Sequence, residues 1–416
     1  MRILLLGSGG REHALGWKLA QSPLITELIS CPGNPGLAEL GRVIPDVSPT
    51  DPVSVADLAA TEGIDLVVVG PEAPLAAGVA DALLEAGIAV FGPTKHGAML
   101  ESSKAFAKSV MVEAGVPTGR AEVFTDHDAA AEYLRTIDGP YVVKADGLAA
   151  GKGVLVTEEL TAAEAWVDEC FDGRFGEAGM TVVIEEHLEG DEVSTFFICA
   201  GGVAVPLEPA RDYKRLLDAD EGPNTGGMGS FSPVTGMDNY FVTWAKHNAV
   251  EPTLAALAED GVDYTGFLYV GLMLTEDGPK VLEFNCRLGD PETQALLPRL
   301  ETDLLELLHA AAHGGLDGAD LTWSDQHAVD VVLAAPGYPE SPETGLAVIG
   351  LEHVTEALIF HAGTAIVDDR LVTTGGRVLN VVGLGDTQAE ARADAYAAAN
   401  LIQFRGKHIR TDIAAW

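Results

Sequence analysis

The sequence predicts an α/β protein that opens with a doubly wound parallel sheet, continues into a larger α/β core and ends in a small C-terminal α/β domain. Three observations carry this. Over residues 1 to about 100, short apolar runs alternate with helical spacings, the pattern of a parallel sheet covered on both faces. The texture changes near residue 102 and again near 325. At roughly 150 residues per domain, 416 residues make two to four domains.

The elements follow in order. Ile3 to Leu6 is an apolar strand ending in glycine, and Glu12 to Ala20 has helical spacing. Leu66 to Val69 ends at Gly70-Pro71. Leu75 to Glu85 reads as one helix, and Ile88 to Phe91 as a strand ending at Gly92-Pro93. In such sheets ligands bind at the carboxyl ends of the strands, here Gly7-Ser8-Gly9-Gly10, Gly70-Pro71-Glu72 and Gly92-Pro93-Thr94. Next come a helix over Lys104 to Glu113, a compact αβ unit at about 120–190, and long strands near 266–275 and 280–286. Glu208 to Pro233, rich in Gly, Pro and Asp, reads as a long structureless loop, a kind that is usually functional or disordered. Val329 to Leu333 and Arg377 to Val382 are strands, and Thr387 to Leu401 is an Ala-rich helix. The expected domains are 1–101, 102–324 and 325–416.

Composition excludes several classes. With 47% hydrophobic and 21% charged residues the chain is globular, not disordered. Acidic residues outnumber basic ones 63 to 25, for a net charge of -38, which disfavours nucleic acid and anionic membrane. The acidity fits a high-salt adaptation or simply an acidic proteome. An anionic substrate would need locally concentrated positive charge from only 10 Lys and 15 Arg. Cys31, Cys170, Cys199 and Cys286 show no metal-binding spacing and read as free thiols of a reducing cytoplasm. The apolar start is too short for a signal peptide, and no run approaches the ~18 residues of a membrane span. A cytoplasmic location is expected.

Five constellations could carry chemistry. Gly7-Ser8-Gly9-Gly10-Arg11-Glu12 follows the first strand and could receive a phosphate. It fails as a dinucleotide fingerprint: Glu12 replaces the third glycine, and Ile29-Ser30-Cys31-Pro32 stands where a ribose-binding acid belongs. A tight turn is the plainer reading. Lys144 to Gly153 joins two strands through three glycines and Lys152. It lacks the Ser or Thr of a Walker A loop, and it suits a flap over a polyphosphate better than a solvated hairpin. Val182 to Leu188 is an apolar strand ending in Glu185-Glu186, followed by Glu192. It could present backbone groups to an adenine, or be an ordinary strand end. Glu283, Asn285 and Arg287 alternate along a strand and share one face, with Leu282, Phe284 and Cys286 on the other. Two oxygen donors suit Mg²⁺, and a neighbouring Arg neutralises an anion. Finally, Arg211-Asp212-Tyr213-Lys214-Arg215 precedes Gly222 to Gly229, where glycines let backbone amides approach a ligand. A surface loop with chance charges is the alternative.

Together, GSGGREHAL (7–15), VGPEAPL (69–75), FGPT (91–94), ESSKAF (101–106), KADGLAAGKGV (144–154), GPNTGGMG (222–229), TGFLYVGLM (265–273), EFNCRLGDPETQ (283–294) and FHAGT (360–364) resemble the ATP-grasp superfamily and, within it, the glycinamide ribonucleotide synthetase family. The resemblance runs from residue 1 to about 412. It implies an ATP-grasp core at 102–324 with a flap subdomain at about 120–190. It implies that ATP, glycine and 5-phosphoribosylamine give ADP, phosphate and glycinamide ribonucleotide through a glycyl phosphate. No enzyme nucleophile is needed, so catalysis is positioning and charge neutralisation.

Carried onto this sequence, the resemblance puts Lys104, Lys144, Gly151, Lys152 and Gly153 on the ATP phosphates. Glu185, Glu186 and Leu188 would line the adenine, and Glu192 would hold the ribose. Glu283 and Asn285 would bind Mg²⁺ or Mn²⁺, with Lys144 and Arg287 as catalytic cations. Gly9, Gly10, Arg11, Pro71 and Glu72 would lie near phosphoribosylamine, and Asp212, Lys214, Gly226, Gly227 and Met228 near glycine and the amine. The partners implied are small molecules only, with a monomer or weak dimer. Two departures stand out. The strand Tyr269 to Leu274 lacks the extra metal-binding carboxylate many members carry, and the tail Asp412 to Trp416 lacks the family's Gly and basic residues. An ATP-grasp ligase acting on another carboxylate is the rival reading. A nucleotide-binding module without turnover leaves the metal pair and Arg287 unexplained.

Overall fold

A computed structural model of the chain describes residues 1–148, 153–234 and 239–415. Gly151 and Lys152 lie outside the described residues.

The first sheet has five parallel strands in the order Arg42–Val43, Glu27–Pro32, Arg2–Gly7, Leu66–Val69, Val90–Phe91. The chain leaves the central strand on one side and returns on the other. The order therefore reverses at Gly7, where such sheets bind ligands. Ile3 and Leu5 pack into one core and Leu4 and Leu6 into another, the alternation that burial on both faces requires. The single helix expected over Leu75 to Glu85 is two helices, Glu72–Ala77 and Val79–Glu85. Gly78 separates them at φ +90, a left-handed conformation that ends the first helix.

The middle of the chain builds two antiparallel sheets. One runs Val203–Pro206, Asp191–Ala200, Gly266–Thr275, Gly278–Asn285. The other runs Ala121–Phe124, Val182–Glu185, Tyr141–Ala145, Val154–Thr157, with helices His127–Leu134 and Leu160–Glu169 packed on it. The segment 145–154 joins two paired strands, as expected of a flap.

Glu208 to Pro233 is not structureless. Arg215–Leu217 pairs with Glu221–Asn224 as a hairpin, while Arg211–Asp212 and Gly229–Ser232 join the C-terminal sheet. That sheet runs Arg211–Asp212, Gly229–Ser232, His327–Ala334, Arg377–Gly385, Leu358–His361. Gly229–Ser232 lacks a periodic signal because pairing with residues about a hundred positions away creates it, and the two-residue strand Arg211–Asp212 pairs with it in turn. Helix Gln388–Leu401 backs the sheet, capped by Thr387 and Glu390. All four cysteines are buried and free. No described helix is long and apolar enough to cross a membrane.

Candidate active site

The sheets meet around a cleft of about 760 Å³, in the range of small-molecule sites. Arg11, Lys104, Lys108, Lys144, Lys214 and Arg287 all line it. Positive charge is thus concentrated where a strongly acidic chain would otherwise repel an anion.

One wall is the strand Gly278–Asn285 and the residues after it. Glu283, Asn285 and Arg287 all reach the cleft. The strand carries a bulge: Gly271 pairs with Glu283 and Leu272 with Val281, so Leu282 has no partner. Leu282 therefore lines the cleft as well, against the strict alternation expected; Phe284 packs into the core and also borders the cleft, and Cys286 packs into the core alone. Glu283 opens into the cleft, although protein surrounds it. Enclosure pushes its pKa up, but Lys214, Lys144, Lys104 and Arg287 outweigh that, and the carboxyl is held below its ordinary value. Asn285 Oδ1 accepts from Arg287 Nη2 at 3.3 Å. A carboxylate and an amide oxygen side by side are hard donors that fit Mg²⁺ or Mn²⁺ completed by phosphate oxygens. Among the described residues no three His, Cys, Asp or Glu side chains gather as a metal cage.

The lysines stand opposite. Ser103 caps helix Lys104–Glu113 through the Phe106 amide. Asp146, at the base of the flap, accepts from Ser103 Oγ at 3.0 Å and from the Ala105 amide at 3.1 Å. Helix and flap are thereby tied together, and Lys104 Nζ donates to the Gly147 carbonyl at 3.0 Å. Lys144 and Lys108 share Glu185 Oε2, at 3.0 and 3.1 Å. Burial lowers the pKa of Lys104 and of Lys108, opposed by Glu283 and Glu185 respectively. Lys108 was not among the expected residues. Its position four after Lys104, one helical turn on, was the available signal.

Gly153, Glu185 and Glu192 line the cleft, and Glu192 is bonded to Lys214. Glu186 and Leu188 do not line it. Glu186 sits on the rim, accepting from the Arg120 amide at 3.0 Å and pairing with Lys280 at 3.6 Å.

The glycine-rich first turn is occupied by its own glutamate. Glu12 Oε2 accepts the Gly9 amide at 2.7 Å, and a Cβ on Gly7 or Gly70 would fall within 2.4 or 2.5 Å of its Cγ. The turn therefore offers its amide to Glu12, not to a pyrophosphate, consistent with the failed dinucleotide pattern. Gly9 and Gly10 do not line the cleft; Gly10 packs against Asn380 and Gln294. Arg11 does line it, held by Glu12 at 2.6 Å and by the Leu288 carbonyl at 3.2 Å. Pro71 caps the helix that aims Glu72 into the cleft, where Glu72 meets Arg287 Nε at 3.4 Å. Asp212, Lys214 and Gly226 line the far wall. Gly227 and Met228 stand behind it, the first against Pro291 and the second in full burial.

No motif of the sequence analysis placed Arg377, from the C-terminal sheet, in the cleft. Arg377 lines the cleft, donating to the Gly226 carbonyl at 2.5 Å and pairing with Asp290 at 3.0 Å. Glu101, Tyr269, Asp290 and Glu292 are further lining residues not expected there.

A flap subdomain and a central sheet closing on a cation-rich cleft, with Glu283, Asn285 and Arg287 on one wall, define an ATP-grasp enzyme. Three family models of phosphoribosylglycinamide synthetase match: the N domain over residues 1–101, the ATP-grasp (A) domain over 102–293 and the C domain over 328–416. The chain belongs to the phosphoribosylglycinamide synthetase family. It is 49% identical to the phosphoribosylamine–glycine ligase of Rhizobium meliloti over 99% of this chain and 98% of that one. The Neisseria meningitidis protein of the same name is 46% identical, covering 100% and 99%. The crystal structure of the Thermotoga maritima phosphoribosylamine–glycine ligase superimposes with a TM-score of 0.88 at 38% identity, covering 99% of this chain and 100% of that one. A biotin carboxylase domain from Hydrogenobacter thermophilus, at 17% identity, TM-score 0.72 and coverage of 98% and 91%, shares the fold. The expected fold class and family resemblance are borne out.

Proposed function

We infer that this chain is the ATP-dependent ligase of purine biosynthesis that joins glycine to 5-phosphoribosylamine, giving glycinamide ribonucleotide, ADP and phosphate. The observation that carries the reading is Glu283, Asn285 and Arg287 facing Lys104 and Lys144 across one cleft. ATP phosphates sit between the two lysines and under the flap that Lys104 grips. Arg287 neutralises the charge that builds as glycine's carboxylate takes the γ-phosphoryl group and the glycyl phosphate forms. Asp212, Lys214 and the Gly226 backbone hold glycine and the incoming amine, while Arg11 and Glu72 face phosphoribosylamine. Glu185, with Glu186 and Leu188 at the rim, borders the adenine, and Glu192 holds the ribose. Glu283 and Asn285 would hold Mg²⁺ or Mn²⁺, which supplies charge neutralisation at the phosphates.

The working division is 1–101, 102–324 with its flap at about 120–190, and 325–416. The protein acts in the cytoplasm on small molecules, as a monomer or weak dimer. The test is ADP release with Mg²⁺, glycine and freshly generated phosphoribosylamine, each omitted in turn. Release that needs both substrates is expected. Release that needs a different carboxylate overturns the substrate assignment and keeps the fold.

A further inference from the structure

Amide formation leaves one proton to remove. The amine nitrogen attacks the carbonyl carbon of the glycyl phosphate, and a C–N bond forms. The C–O bond to phosphate breaks and phosphate leaves with the electron pair. The extra proton on nitrogen needs an acceptor.

Most carboxylates in the cleft are already engaged. Glu101 holds Arg287 and the Cys286 amide. Glu72 stands between Arg287 and Arg11. Glu185 binds Lys108 and Lys144, Glu192 binds Lys214, and Asp290 binds Arg377. Asp220 pairs with Arg410, and Glu283 faces the proposed metal position. Asp212 and Glu292 remain, and Lys214 is the strongest charge acting on Asp212.

Glu292 is different. It lines the cleft, is 4% exposed, and its carboxyl accepts from its own backbone amide but makes no ion pair or side-chain hydrogen bond to another described residue. Its carboxyl group lies flat on Gly289: a Cβ there would come within 2.4 Å of the carboxyl carbon and of Oε2. Gly289 itself lines the cleft, so the absence of a side chain at 289 makes the space the carboxyl group occupies. The groups acting on it are Asp212, Lys214 and Arg287, and it acts in turn on Tyr269, Arg377 and Asp330. Burial, and then Asp212, push its acid up to about 8, against its own backbone amide, Lys214 and Arg287. A base is most effective when its pKa lies near the working pH.

We propose that Glu292 is the general base that takes the proton from the attacking amine. The proposal rests on the ligase reading above.

The experiment separates the two half-reactions in the full-length Glu292→Gln variant. Glycine-dependent scrambling of ¹⁸O between the bridging and non-bridging positions of ATP reports glycyl phosphate formation without the amine. Amide formation with phosphoribosylamine reports transfer. Scrambling should stay within about twofold of the unmodified enzyme while transfer falls roughly 100-fold or more. In the unmodified enzyme transfer should rise with pH to a plateau above about 8, and the variant should lose that limb. Glu292→Asp, which keeps a carboxylate, should recover transfer and the limb in part. Unchanged transfer in Glu292→Gln, or loss of scrambling in a folded variant, overturns the role. If Glu292→Gln does not fold, Glu292→Asp decides: transfer without a pH limb overturns it. Unmodified enzyme that releases no ADP dependent on both glycine and phosphoribosylamine would instead overturn the ligase reading, and this proposal with it.

Discussion

Glu101 and Arg287 form an ion pair at the cleft wall, with Arg287 Nη2 3.0 Å from Glu101 Oε1. The other carboxylate oxygen of Glu101 accepts the Cys286 amide at 2.8 Å. One side chain therefore fixes both the guanidinium and the backbone beside it. Glu101 also lies three residues before Lys104, so it links that cleft-lining lysine to the arginine.

Glu101→Gln should weaken both grips. A buried guanidinium that loses its carboxylate destabilises the fold by about 3 kcal/mol, the lower end for such pairs, because Glu72 still faces Arg287. Urea unfolding measures this. Steady-state kinetics should show kcat falling while the KM for ATP changes little, since the lysines are untouched. A variant as stable and active as the unmodified protein would show that Arg287 positions itself.

Glu283→Gln should lower turnover about 100-fold or more while the thermal midpoint moves by only a few degrees. Gln keeps the shape of the side chain and removes the charged oxygen that the metal would take. Metal titration of ADP release should show weaker apparent affinity. Near-normal turnover would displace the metal position from this strand.

His13 and His361 should make the protein acid-sensitive. The His361 amide donates to His13 Nδ1 at 2.8 Å, which requires that nitrogen unprotonated. Burial, and then His361, hold His13 down to about 3, and burial holds His361 to about 4. The unfolded chain binds protons at both from about pH 6.5 downward and the folded chain does not. Stability is therefore full above pH 6.5 and falls as pH drops toward 4. By pH 5 the loss is roughly 2 kcal/mol per histidine. Denaturant midpoints at pH 7 and pH 5 check the sign, and midpoints that do not fall on acidification refute it.

Gly10→Ala should loosen the seam between the first and last domains. A Cβ there would meet Asn380 Nδ2 at 2.2 Å and Gln294 Nε2 at 2.7 Å. Both side chains are buried, so overpacking should destabilise by roughly 1–3 kcal/mol. Thermal unfolding reads this directly, and an unchanged midpoint would mean the seam yields without strain.

Much of the architecture was legible because periodicity reports burial. The runs Ile3–Leu6 and Leu66–Val69, and helix Lys104–Glu113, stand where their apolar patterns placed them. Gly78 was missed as a break because one glycine inside a helical pattern is ordinarily tolerated. Strands 211–212 and 229–232 were missed because long-range pairing makes them. Site residues carried by motifs, such as Glu283, Lys144 and Arg11, do line the cleft. Gly9, Gly10, Gly227 and Met228 carry motif but not wall: they shape the backbone behind it. Arg377 reaches the cleft from a region of the chain where nothing local announces chemistry, and Glu101 opens the ESSKAF motif, whose assigned role fell on Lys104 alone.

The shared C-terminal sheet also sets an order of assembly. Gly229–Ser232 pairs with His327–Ala334 along one edge, and Arg211–Asp212 pairs with its other edge in turn. During synthesis the wall that carries Asp212 and Lys214 waits for a segment made about a hundred residues later. Until then a nascent chain can present the cleft lysines Lys104, Lys108 and Lys144 but not the wall of Asp212 and Lys214, so the cleft closes on its small molecules only once the last domain is made.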